Sequence, residues 1–403
     1  MSLLVQYIQS LEDSSYNNVK EHFTDRRCRV IDSGEHYMIS ISNDFSVYSE
    51  LSVEFKNAIC CAIGTILNKN TNEIVCYGFP LTQEIEQYSN EPFLGSLVAS
   101  EYIEGTVLRA FYDGTNWRLS TNGAMNAYES YWISTKSFGE LFDSCLSRIY
   151  GNNTSFYSSR LVESLDTDCT YQFILTDPSV HLQKSGKSFI YHICTFSNRT
   201  MRYVDHTVER NIPVPKTVTF DSFTELVQKL KSNDTANGYV FYPSNSLDTQ
   251  QPRYKILSEN YVKRRKLIGN TPNMYLRYLE CKAEGTDAEL LKEFPALRFY
   301  SSWVDKCLST IAKRIHLSYV EKFIIKNKSA SVNFYYRPII YELHGNFMKT
   351  QEKVTYQVVY KLLTSSHPKR INFILNGLKL IQTSDFVSPS LSVKEEIEEK
   401  QKE

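Results

Sequence analysis

Residues 101–123 read EYIEGTVLRAFYDGTNWRLSTNG. Thr106–Tyr112 and Trp117–Thr121 are each rich in alternating apolar and aromatic residues, and Asp113-Gly114 between them supplies turn chemistry. The spacing predicts an antiparallel hairpin. Just ahead of it stands Glu104-Gly105-Thr106, whose glycine would let the backbone come close to a ligand. The same grammar occurs upstream, with strands expected at Ala62–Leu67 and Glu73–Phe79 around the turn residues 68–72.

Working outward, further strands are expected at Thr170–Thr176, Phe189–Phe196, Gly238–Tyr242 and Tyr254–Leu257. Between them lie helical patterns at Ser137–Tyr150 and Ser222–Lys231, and Leu3–Leu11 opens the chain with another. Hairpins of this kind, without regular βαβ units, define an α+β core of antiparallel sheets with flanking helices. From about Tyr261 the text becomes helical, including Ala288–Lys292 and Tyr300–Ile315. The expected organisation is a core domain over 1–265, a mainly helical C-terminal domain over 266–390 and a charged tail over 391–403.

The 403 residues suffice for two such domains. Lys+Arg and Asp+Glu both number 45, so any nucleic-acid contact must come from a local patch and not from the global field. No apolar run reaches membrane-span length, which argues against a membrane partner, and Met1–Ile8 lacks the basic start of a signal peptide. The nine cysteines are scattered without a C-x-x-C pair, which implies a reducing, intracellular, cytoplasmic setting. The 28 Tyr and abundant Asn read as the product of an AT-rich genome, such as that of a large cytoplasmic DNA virus.

Covalent nucleotidyl transfer needs a lysine amine that attacks the α-phosphate of a nucleotide, in a K-x-D/E-G setting. Here Tyr102-Ile103-Glu104-Gly105 has the acid and the glycine without the lysine. Other segments follow in order: Thr65–Pro80 before the motif, Tyr112–Gly123 after it, then Thr170-Tyr-Gln-Phe-Ile-Leu-Thr-Asp-Pro178, Asn237-Gly-Tyr-Val240, Lys255–Tyr261 and Glu293-Phe-Pro295. This succession, over roughly residues 50–310, resembles the phage-type ATP-dependent RNA ligases of the covalent nucleotidyltransferase superfamily. The resemblance implies a nucleotidyltransferase (ATP-grasp-like ligase) core followed by helices.

The departures fall on the chemistry. The resemblance places the nucleophilic lysine at Tyr102, two functional glutamates at Ile174 and Asn237, and the second lysine of the last motif at Leu257, while Lys255 keeps the first. The family's arginine after the hairpin corresponds to Asn122, and Leu81-Thr82-Gln83 lacks the family's lysine after Pro80. Tyrosine, with a pKa near 10, does not replace an amine nucleophile, and isoleucine cannot ligate a metal. No catalytic residue and no cofactor is therefore expected; ATP and Mg²⁺ belong only to the alternative of an active, divergent ligase. Glu104, Gly105, Arg109 and Lys255 remain as candidate nucleotide or RNA contacts.

Lys263-Arg264-Arg265-Lys266 is the densest basic run and a candidate RNA-contacting patch, with a solvated helix face as the plainer reading; Lys313, Arg314, Lys326 and Lys328 could extend it. Lys282-Ala-Glu-Gly-Thr286 matches K-x-E-G-T literally, but it sits in helical text and reads as a helix that stops and restarts at Gly285. Lys184–Ser188 lacks the first glycine of a phosphate loop and reads as a hairpin turn. The histidines, His181, His192 and His206 among them, show no ligand spacing, so no metal is expected. The functional expectation is an inactive RNA-ligase-like module that binds RNA or a protein of a nucleic-acid-processing or viral assembly, with an active ligase and a structural or virion-associated protein as the alternatives.

Overall fold

A computed structural model describes residues 2–41, 45–78, 82–85, 96–151, 153–178, 188–204, 208, 211–233, 236–241, 253–327 and 329–378. Residues 184–187, Phe79–Leu81, Tyr242, His181, His206, Lys328 and the tail over 391–403 lie outside the described residues. The chain divides into two compact units, one of residues 1–132 with 136–262 and one of 133–135 with 263–403.

In the first unit the order is α1 (Leu3–Gln9), α2 (Tyr16–Asp25), β1 (Arg29–Ser33), β2 (His36–Ser40), α3 (Val53–Cys60), β3 (Ile66–Asn68), β4 (Ile74–Cys76), β5 (Gln83–Glu84), β6 (Leu97–Glu101), β7 (Thr106–Tyr112) and β8 (Trp117–Thr121). There follow α4 (Phe138–Tyr150), α5 (Arg160–Glu163), β9 (Cys169–Thr176), β10 (Phe189–Ser197), β11 (Arg202–Val204), β12 (Thr217–Phe220), α6 (Phe223–Ser232), β13 (Gly238–Phe241) and β14 (Tyr254–Leu257). These strands form three sheets, ordered β1-β2-β3-β4, β11-β10-β9-β7-β8 and β12-β6-β13-β14-β5. All pairs are antiparallel except β14 with β5.

Each sheet buries one face against helices. Leu108, Ala110, Phe173 and Leu175 of the second sheet pack with Phe138, Leu141, Phe142 and Leu146 of α4. That helix begins in a capping box, where the Ser137 hydroxyl accepts from the Glu140 amide and the Glu140 carboxylate accepts from the Ser137 amide. Leu97, Ala99, Tyr239, Phe241 and Ile256 of the third sheet pack with Leu226 and Leu230 of α6. The first sheet joins Tyr37, Ile39 and Leu67 to α1, α2 and α3.

The second unit is helical, with α8 (Met274–Glu284), α9 (Asp287–Glu293), α10 (Arg298–Tyr319), α11 (Arg337–Thr350), α12 (Tyr356–Ser365) and α13 (Pro368–Gly377), preceded by α7 (Glu259–Ile268), which runs across the division between the units. Two expected strands need correction, and the one expected over Glu73–Phe79 covers only Ile74–Cys76. Residues 61–64 are a turn and not strand, so the strand expected from Ala62 begins only at Ile66. Gly64 takes a φ of +71° there, a conformation that β pairing does not allow.

Candidate functional site

β6 and β7 belong to different sheets, so Tyr102–Gly105 is the stretch that passes from one to the other. Its start is fixed to the third sheet. The Tyr102 amide donates to the Gly238 carbonyl at 2.8 Å, and its ring packs on that of Tyr261 with centroids 5.4 Å apart. Its end is fixed to the second sheet, where the Leu175 carbonyl and Cγ2 of Ile174 fill the space that a Cβ on Gly105 would need. Glycine is required at 105 by this close approach, whatever else binds there.

Strand register brings the other motif positions to the same place. Gly238 stands opposite Leu257, and Val240 opposite both Lys255 and Ser100. The Asn237 carbonyl accepts from the Ser258 amide at 2.8 Å. Tyr102, Asn237, Lys255 and Leu257 thus gather where β6 and β14 end and β13 begins, and Ile174 reaches the same stretch through Gly105. Glu104, two residues after Tyr102, is half-buried.

The chemistry of this cluster is thin. Tyr102 offers a phenol and Ile174 a hydrocarbon, and Lys255 holds Nζ 3.5 Å from Oε2 of Glu84. Glu101, on the strand next to Tyr239, is a further nearby acid besides Glu84 and Glu104; burial first and the Glu101 carboxylate second raise the Tyr239 and Tyr191 pKa values. Among the described residues no group of three or more His, Cys, Asp and Glu could hold a metal ion. The side chains present at 102, 174 and 237 do not fit ATP with Mg²⁺, because they supply neither the amine nor the carboxylates.

Arg109 lies elsewhere. It is 1% exposed, and its Nη2 donates to the Ile63 carbonyl at 3.4 Å and to Oδ1 of Asn122 at 2.5 Å. Its guanidinium occupies the space a Cβ on Gly64 would need. Across the second sheet it stands in a row with Ser120, Gln172 and Cys194, one residue from each of four strands. Burial lowers the Arg109 pKa and raises the Cys76 thiol to about 11 and the Cys194 thiol to about 12. In this form Arg109 has no surface to offer RNA. The sequence pattern does not reveal the row, because alternation along β7 separates two faces but does not say that both are covered.

The basic run falls on α7. Arg264 is drawn inward, its Nε 3.6 Å from Oε2 of Glu293 and its guanidinium 5.3 Å from the Phe294 ring centroid. Lys263, Arg265 and Lys266 are exposed. Lys282 ends in no nucleotide motif: α8 stops at Gly285, φ +74°, and Nζ lies 2.8 Å from Oδ1 of Asp305. His192 shares a 3.1 Å hydrogen bond with the Thr195 hydroxyl.

The architecture is the α+β one expected from the sequence, antiparallel sheets with flanking helices and a C-terminal helical region. The chain is similar to an archaeal ATP-dependent RNA ligase, with a TM-score of 0.41 and 13% identity over 91% of this chain and 99% of that one. It is similar to a putative ATP-dependent DNA ligase from Aquifex aeolicus, with a TM-score of 0.40 and 15% identity over 70% and 77%. In sequence it is 22% identical over 347 residues, 75% of this chain and 74% of the relative, to the immediate-early protein ICP-46 homolog of Invertebrate iridescent virus 6. It is 24% identical over 275 residues to the ICP-46 homolog of Invertebrate iridescent virus 3, a match spanning 59% of that protein. No family model matches the chain. No helix among the described residues is long and apolar enough to cross a membrane.

Proposed function

We propose that this chain is a ligase-like protein that does not transfer nucleotides and works as a binding module for RNA or a protein within a nucleic-acid-processing assembly. One observation carries the reading. The backbone frame around Tyr102–Gly105 is closed on both sheets, while the side chains at 102, 174 and 237 are a phenol, a hydrocarbon and an amide. Such a set can pack and hydrogen-bond, but it cannot attack a phosphate or hold a divalent ion. A protein partner is compatible with the balance of 45 basic and 45 acidic residues; RNA would need the exposed Lys263, Arg265 and Lys266 or another local patch.

The test is incubation of the full chain with labelled ATP or GTP and Mg²⁺ or Mn²⁺, followed by a denaturing gel. No covalent label is expected. A label that disappears on Lys255→Ala would overturn the proposal in favour of an active, divergent ligase. Absence of a label together with recovery of RNA or a defined assembly protein on the purified chain supports it.

A further inference from the structure

α10 leads directly into a π-helical turn, Val320–Ile324, and that turn meets α11 through aromatic rings. Phe323 stacks on His344 with centroids 3.8 Å apart and meets Tyr341 edge-on at 5.9 Å, and His344 continues the run to Phe347 at 6.2 Å. The core stops short of this place. The buried residues of α11 are Ile339, Ile340 and Leu343, all in its first half. Ile324, Tyr341 and Met348 are 62%, 49% and 61% exposed. Tyr341, Gly345 and Met348 recur at the spacing of one helix side. A Cβ added at Gly345 would meet nothing within 4 Å, so the apolar and aromatic strip has a notch at its middle.

The charge beside the strip is unbalanced. In the stretches 321–326 and 341–353 the lysines are Lys322, Lys326, Lys349 and Lys353, and Lys322 Nζ stands 5.5 Å from the Tyr341 ring centroid. Of the acids there, Glu342 is held by Arg370 at 2.9 Å, which leaves Glu321 and Glu352. Among the described residues no carboxylate pairs with any of the four lysines. The surface therefore fits an occupant whose apolar side chains are set among carboxylates.

We propose that this occupant is the chain's own segment Val393–Glu399, which masks the strip. The segment reads Val-Lys-Glu-Glu-Ile-Glu-Glu, the densest acidic run in the sequence, with Ile397 between two pairs of carboxylates. Its connection starts in the right place. The Tyr335 ring fills the space that a Cβ on Gly377 would take, so α13 ends beside the start of α11. From Tyr335 to Met348 is about 20 Å at 1.5 Å per residue, and residues 379–392 can span roughly 45 Å. A second copy would bring the same lysines face to face across a two-fold axis. A nucleic acid would take up the lysines and leave Ile324 and Met348 in water. The inference goes beyond the binding-module reading and holds whatever that module binds.

The experiment uses the full chain and reads the rate at which dilute hydrogen peroxide oxidises Met348, by mass spectrometry, with the buried Met38 as the slow reference. In E395K/E396K/E398K/E399K, Met348 should oxidise at least about threefold faster than in the unaltered chain, and high salt should move the unaltered chain towards that rate. Ile397→Asp should also speed oxidation although it adds negative charge, which separates apolar seating from simple attraction. Carbodiimide coupling in a mixture of isotopically heavy and light protein should join Glu395–Glu399 to Lys322, Lys326 or Lys349 within one chain. Equal Met348 rates in the unaltered and charge-reversed chains overturn the proposal. Slower oxidation in Ile397→Asp overturns the apolar seating on which it rests. Couplings that join heavy to light chains overturn it in favour of a contact between two copies.

Discussion

The Tyr102 ring lies 5.4 Å from that of Tyr261, tilted by 60°, and its amide is bonded to the Gly238 carbonyl. The side chain at the position where a nucleophile would be sought is thus part of the packing between β6, β13 and the start of α7. Tyr102→Lys is expected to give no covalent nucleotide label, because Ile174 and Asn237 still provide no carboxylate. It should also lower stability by about 0.5–1.5 kcal/mol through loss of the aromatic pair. Labelling and urea denaturation of the same preparation check both halves.

Gly64→Ala should be among the most damaging single changes in the first unit. The residue sits at φ +71° with the Arg109 guanidinium where a Cβ would go. Left-handed strain of ~1–2 kcal/mol and overpacking of ~1–3 kcal/mol add to a loss of roughly 2–5 kcal/mol. A shift of the urea midpoint with unchanged slope would register it. A shift below ~1 kcal/mol would mean that Arg109 moves aside easily.

Asp32 ties α2 to the first sheet. Its carboxylate accepts from the Tyr16 hydroxyl at 2.8 Å and from Lys20 at 3.1 Å, with Lys69 at 3.4 Å. The hydrogen bond from Tyr16, then that from Lys20, hold its pKa down to about 2. A depressed carboxylate stabilises the fold above its unfolded value near 3.9, and loses that contribution as pH falls through its folded value. Asp32→Asn should therefore be less stable than the unaltered chain at pH 6, with the gap closing as pH drops from about 4 towards 2. Thermal melts across that range test the sign.

Lys282, despite its literal K-x-E-G-T setting, is expected to be chemically silent. Burial acts to lower its pKa, but the hydrogen bonds to Asp305 and Tyr278 outweigh it, so the amine is held protonated. Lys282→Ala should leave nucleotide labelling unchanged and cost up to ~1 kcal/mol, the scale of a partly exposed ion pair. Labelling that depends on Lys282 would contradict this.

Where local grammar is complete, the sequence is legible. Asp113-Gly114 between alternating strands, and Ser137 three residues ahead of Glu140, place β7, β8 and α4 to within a residue. The failures are contacts that local text cannot carry. Ala62–Gly64 reads as strand because its residues are apolar, but the side chain packed into the turn at Gly64 is Arg109, 45 residues away in number. Arg109 reads as a surface contact because arginine is usually outside; the turn over Ile63 and Gly64 covers it.

The glycine at 105 has a consequence for how such chains are recognised. Its place beside Leu175 and Ile174 is dictated by joinery between two sheets and would be so in a protein that never met a nucleotide. A search keyed on Glu-Gly-Thr before a hairpin therefore detects a seam, whether or not the protein built around it handles nucleotides.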